Sequence, residues 1–288
     1  MHDDEVSRRK GLTFAQAEGL SPLPAQLSRT EVTPELRAVL WKFIHDEIGR
    51  STRGDYLGAV WEKILRNVHV LHYHRFTDDF STHLKTVTQA VKSVRSVFEQ
   101  GNYADVYGWL QFVLQHQPPP GFARQLEDRL RYCRAPYRIL ADDVLCPIGS
   151  DLDAAVVQRA LQDVSKHSLT GGREHLRLAV AELSNGNFAD SVRESVHSVE
   201  SVVRVLEPTG DFSKALSKLE QKTNIHGALK KGFLALYGFS SDEEGIRHPL
   251  LEKEAPSVDE ADALFMIGAC SAFLSYLVNK SRTAGLLA

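Results

Sequence analysis

Between Phe188 and Leu206 the side chains Phe188, Val192, Val196, Val199, Val203 and Leu206 recur at helical spacing and fall on one stripe. An amphipathic helix of this length must cover its apolar side with other elements. The same periodicity recurs along most of the chain, which predicts a mainly α protein.

Thr33-Pro34 reads as a helix start, with Thr as N-cap and Pro in the first turn. Leu36, Val39, Leu40, Phe43 and Ile44 follow at helical spacing. Further helices are expected over 57–72, 80–100, 103–115 and 122–133, with Gly101-Asn102 and Pro118-Pro119-Pro120 as breaks. Residues 137–148 change texture. Tyr137–Leu140 and Val144–Ile148 flank the acidic Asp142-Asp143 and read as a β-hairpin, with Pro147 marking an edge strand. A helix over 151–164 follows, and Thr170-Gly171-Gly172 reads as a linker or hinge. Beyond it, helices are expected over 173–183, 188–206, 212–221 and 228–237. A last helix should open on a Ser257/Glu260 capping box and run to about Lys280. The expected organisation is an N-terminal helical domain, 1–150, ending in the small hairpin, then a helical linker, 151–172, and a C-terminal helical bundle, 173–288.

The chain has 288 residues, a net charge of −3 and a pI near 6.5. No bulk basic field exists, so any nucleic-acid contact must use a local patch. Cys133, Cys146 and Cys270 are far apart and odd in number, which points to a reducing, cytoplasmic setting without a disulfide framework. The acidic start, Met1-His2-Asp3-Asp4-Glu5, is not a signal peptide. Sixteen uncharged residues, Ala263 to Val278, are short for a membrane span and contain Gly268, Ser271 and Ser275. A helix in a core or a dimer interface is expected there, and no membrane partner.

No P-loop, dinucleotide fingerprint, HExxH or GxSxG is present, and nothing signals a metal or a cofactor. His69, His72 and His74 cluster near Arg75, without a carboxylate or cysteine at ligand spacing, and read as polar decoration of a helix end. Arg124, Arg129, Arg131 and Arg134 are interleaved with Glu127 and Asp128, which reads as a mixed-charge surface. Lys214, Lys218 and Lys222 line one helical face, with Lys230 and Lys231 following, and form the better candidate for an RNA-backbone patch. Arg193, His197, Glu200 and Arg204 make a polar stripe beside the valine stripe.

The densest polar segment runs from Ser240 to His248 and ends in Arg247-His248. Histidine exchanges a proton near neutral pH, and arginine grips phosphate oxygens with a fixed planar fork. Together they are the groups that metal-free cleavage of a phosphodiester needs.

Several stretches carry a resemblance. His175–Ala179, Asp190–Ser201, His226–Phe233 and above all Leu236–His248 resemble the abortive-infection branch of the HEPN superfamily over about 170–280. Leu36-Arg37 to Trp41, Tyr103–Tyr107 and the hairpin with Pro147-Ile148 are similar to the AbiJ-type N-terminal domain. The resemblance implies a bacterial anti-phage protein whose helical bundle pairs into a homodimer, answers a phage-derived trigger and cleaves RNA without metal. The family's usual signature separates its Arg and His by several residues. Here Arg247 and His248 are adjacent, and Pro249 pushes His248 out of the α region. Arg66 and His72 match the usual spacing but lie in the other domain and read as chance.

On this reading His248 moves the proton and Arg247 neutralises the phosphate charge, with Asp242, Glu243 or Glu200 orienting the pair. Arg193 and His197 form a second wall. The alternative is a catalytically inactive dimerisation or sensing module in which Arg247 pairs with the neighbouring carboxylates.

Overall fold

The computed structural model describes residues 14–21, 25–52, 54–83, 86–141, 143–148, 150–209, 211–242, 246 and 257–287, with backbone alone at 81–83 and 242. The protein is mainly α with one small hairpin, as expected. It divides into two compact units at Arg138/Ile139.

The first unit comprises α1 (Phe14–Ala17), α2 (Pro34–Arg50), α3 (Ala59–Asn67), α4 (Thr77–His83), α5 (Val87–Gln100), α6 (Tyr103–Gln115) and α7 (Phe122–Tyr132). Thr33 caps α2 by accepting from the Leu36 N–H, with Pro34 in the first turn. Asn102 and Asp105 cap α6 reciprocally. The core gathers Trp61, Trp109, Phe98 and Phe122, with Trp61 stacked on Trp109 at 6.5 Å between centroids.

Two helices expected to be continuous are interrupted. The 57–72 segment leaves the α-helix after Asn67 and finishes as a π turn, Val68–His72. The 80–100 segment is two helices, because Thr86 is extended and caps α5 while pairing with Tyr56 as an isolated bridge. Apolar periodicity does not register a residue diverted to capping.

The hairpin pairs β1 (Arg138–Leu140) with β2 (Val144–Cys146) in a two-stranded sheet. Pro147 lies just past β2, where its missing N–H costs no ladder bond. The second unit continues with α8 (Asp151–Lys166), α9 (Thr170–Asn185), α10 (Phe188–Leu206), α11 (Phe212–Thr223), α12 (Gly227–Asp242) and α13 (Glu260–Thr283). The helix over 151–166 packs within this unit against α13 and α9. Gly186, at φ 81°, closes α9 in the left-handed conformation and turns the chain into α10.

Gly171 and Gly172 are not a hinge. They open α9 and let it approach α10 closely. A Cβ on Gly172 would stand 2.4 Å from Val202 Cγ2 and 3.2 Å from the Ser198 carbonyl oxygen, and one on Gly171 would stand 2.3 Å from Ser201 Oγ. The α10 stripe Val192, Val196, Val199 and Val203 is buried as the sequence requires, each side chain contributing roughly 1.5–3 kcal/mol.

α13 packs against α8, α9, α10 and α11. It is long and apolar enough by length and composition to cross a membrane, yet Ala263, Ile267, Cys270, Leu274 and Leu277 are buried within the bundle. Its cap differs from expectation. Asp259 accepts from the Asp262 N–H at 3.0 Å, and Asp262 accepts from the Asp259 N–H at 3.1 Å, so α13 starts at Glu260. Asp is at least as good an N-cap as Ser, and the sequence offers both pairs two residues apart.

Candidate functional site

The polar side of α10 borders a cleft. Helical spacing sends the valines inward and leaves Arg193, Glu194, His197, Glu200, Ser201 and Arg204 beside or opposite them. The α9–α10 hairpin then carries His175 across to this face. His175 Nδ1 lies 2.7 Å from Glu194 Oε2, and His197 Nδ1 lies 3.9 Å from Glu194 Oε1. The two imidazole rings meet edge to face at 5.4 Å. One ligand-capable atom from each of His175, Glu194 and His197 falls within 4.8 Å of the others, and all three side chains are half-buried.

Ion pairs frame the cluster. Arg193 binds Asp190 at 2.6 Å and stands 3.6 Å from Glu194 Oε1. Arg204 binds the buried Glu200 at 2.6 Å. His175, His197, Glu200, Ser201, Arg204 and the exposed Val205 line a cleft of about 600 Å³. The cleft thus offers two imidazoles, the Glu200 carboxylate and one guanidinium, that of Arg204. Such a set can transfer protons or bind an anion, and His175 and His197 with the neighbouring Glu194 can hold a cation.

The expected residues divide into three groups. Arg193, His197 and Glu200 do come together along one side of α10. Asp242 ends α12, but its side chain lies outside the described residues, as do Glu243, Arg247 and His248. Ile246, immediately before Arg247, is buried in the core of the second unit.

The lysines form the third group. Lys222 and Lys218 reach Glu207 at 2.6 and 3.4 Å, and Lys222 with Lys218 holds the Glu207 carboxyl below the usual carboxylate range. Lys230 pairs with Glu220. Lys214 and Lys231 are exposed and make no ion pair among the described residues. The expected patch is therefore offset only in part, by Glu207 and Glu220, while Lys214 and Lys231 keep their charge exposed.

Elsewhere, His69 is not surface decoration. It is buried, hydrogen-bonded through Nε2 to the Phe76 carbonyl at 2.9 Å and packed edge-on against Phe80. Arg131 pairs with Glu127 at 2.7 Å, which fits the mixed-charge reading of that helix.

Sequence reasoning missed His175 and Glu194 as site members. The Glu194-x-x-His197 spacing was available, since residues three apart share a helix face. His175 joins them only through the hairpin turn at Gly186. No protein-family model, curated protein or solved structure matches this chain.

Proposed function

We propose that this chain is an abortive-infection protein of bacterial anti-phage defence whose C-terminal, HEPN-like bundle cleaves RNA without a metal ion. The observation that carries the reading is the cleft on α10, lined by His197, Glu200 and Arg204, with Arg193 one turn before His197 on a helix whose other side is core. Arg247 and His248 supply the reacting pair. In sequence they follow α12, and Ile246, the residue before Arg247, is buried in the bundle. His248 acts as general base or acid on the RNA 2′-OH or the leaving oxygen, a role typically worth about 10²–10⁴-fold. Arg247 neutralises the charge that builds on the phosphate. A homodimer through the C-terminal unit would set two such pairs around one strand.

The test is incubation of the purified full chain with total tRNA and a labelled single-stranded RNA in EDTA, beside His248→Ala and His197→Ala. Cleavage in EDTA that disappears in His248→Ala and slows in His197→Ala is the expected result. Cleavage undiminished in His248→Ala would remove that residue from the mechanism.

A second reading is favoured by the lysine geometry. Lys218, Lys222 and Lys230 are engaged by Glu207 and Glu220, so three of the five lysines of α11 and α12 are drawn into ion pairs rather than left for a phosphate backbone. The bundle would then be an inactive dimerisation or sensing module acting through a partner, with Phe265, exposed on α13, in the contact surface. Absence of cleavage by the wild-type chain moves the weight to this reading.

A further inference from the structure

We infer that His175, Glu194 and His197 form a binding site for a divalent transition metal of the zinc type. This goes beyond the ribonuclease reading and does not depend on it.

Three properties of the cluster support the site. The first is composition. Two imidazoles and one carboxylate are the donors that zinc and its neighbours in the first transition series favour, whereas magnesium prefers oxygen alone. The second is scaffold. Glu194-x-x-His197 places a carboxylate and an imidazole on one face of α10, the spacing by which helical bundles build metal sites, and α9 presents His175 opposite. Two packed helices give firmer placement than a loop. The third is distance. Tetrahedral ligands about 2.1 Å from a zinc ion stand roughly 3.4 Å apart. The hydrogen bond between His175 and Glu194, at 2.7 Å, is tighter than that, and the gap from His197 to Glu194, at 3.9 Å, is wider. The two distances bracket the ligand spacing.

The surrounding charges permit a cation. Arg193 is the nearest competitor for Glu194, but Asp190 pairs with it, and Glu200 likewise offsets Arg204. Glu194 thus shares Arg193 with Asp190 and otherwise faces the two imidazoles that would join it as ligands. Binding replaces the hydrogen bond between His175 and Glu194 with a bond from each to the ion. Three protein ligands leave a fourth position for water or another small ligand, and the cleft beside His175 and His197 gives it room.

The probe is cobalt(II), whose visible absorption reports ligand number and geometry. The full chain, stripped with EDTA and desalted, is titrated with CoCl₂ and then with ZnCl₂ or MgCl₂ in competition. One cobalt per chain is expected, displaced by equimolar zinc and not by magnesium. Affinity should fall at least about tenfold in His175→Gln, in Glu194→Gln and in His197→Gln, a loss that removing a mere hydrogen-bonded neighbour of a ligand already reaches. Circular dichroism identifies variants that keep the fold, and three independent substitutions leave the test standing if one does not. No cobalt bands in the wild-type chain, or one-to-one bands that persist in the folded variants, would overturn the site. No RNA is present, so failure here and failure of the ribonuclease reading are separately visible.

Discussion

Gly172 on α9 faces Val202 on α10 at a distance that leaves no room for a side chain, since a Cβ at 172 would stand 2.4 Å from Val202 Cγ2. Replacing a helical glycine by alanine normally gains about 1 kcal/mol of helix propensity. Here the valine is stiff about χ1 and the Ser198 carbonyl blocks the other direction, so overpacking of roughly 1–3 kcal/mol opposes that gain. Gly172→Ala is expected to lower the unfolding midpoint of the second unit, and adding Val202→Ala should recover part of the loss. Gly232→Ala on α12, where nothing lies within 4 Å of the added Cβ, should instead stabilise. Equal effects at the two glycines in chemical denaturation would refute close approach as the reason for Gly172.

The same pair shows what the sequence could convey. Periodicity located nearly every helix, because burial of an apolar stripe is a local property of the pattern, as in Val192, Val196, Val199 and Val203. Gly171-Gly172 was read as a hinge because glycine's other use, close helix contact, depends on Ser201 and Val202 thirty residues away. Thr86 was lost inside an apparently continuous helix for a related reason, since its partner is Tyr56. At the site, Arg193, His197 and Glu200 were legible because one helix holds them all. His175 was not, because it reaches Glu194 only after the chain reverses at Gly186. Neutralisation of Lys218 and Lys222 by Glu207 was hidden likewise, as the carboxylate sits on the preceding connection.

Glu207 is the anchor of the lysine face, and its titration can be tested. Lys222, then Lys218, lowers the folded-state pKa of this carboxyl below its unfolded value near 4.5. A depressed carboxyl stabilises the fold at neutral pH and loses that contribution as pH falls from about 4.5 through the folded value. The Glu207→Gln variant should show a flatter loss of stability below pH 4.5 than the wild-type chain. It also leaves Lys218 and Lys222 without this carboxylate. If the α11 face binds RNA at all, the variant should bind a single-stranded RNA more tightly at low salt, by filter binding. Unchanged acid stability would show that the Glu207 pairs contribute nothing measurable.

His72 gives the first unit a pH dependence of its own. Burial of the ring, reinforced by His74 and opposed by Asp105, lowers its pKa below the usual 6.5. The folded state therefore resists protonation more than the unfolded chain does. Stability from this residue is complete above pH 6.5 and declines as the pH drops through the folded value. Trp41, Trp61 and Trp109 all lie in the first unit, so tryptophan fluorescence follows that unit alone. Denaturant midpoints read by fluorescence should fall on acidification below pH 6.5 and fall less in His72→Gln. A wild-type profile matching that of the variant would remove His72 as the source.

Cys270 supplies the complementary reporter for the second unit. Burial on α13 pushes its thiol up to about 12, so at pH 8 only about one molecule in ten thousand carries the reactive thiolate, and the closed bundle shields even that. Cys133, in the first unit, is raised by burial to about 11 and protected in the same way. Brief iodoacetamide exposure of the native chain should leave both unlabelled in mass-mapped peptides, and both should label fully in denaturant. Between these limits, labelling of Cys270 should track opening of the helical bundle, while labelling of Cys133 should track the fluorescence change. Labelling of native Cys270 at the rate of an exposed thiol would contradict the packing of α13 against α8 and α10, on which the whole second unit depends.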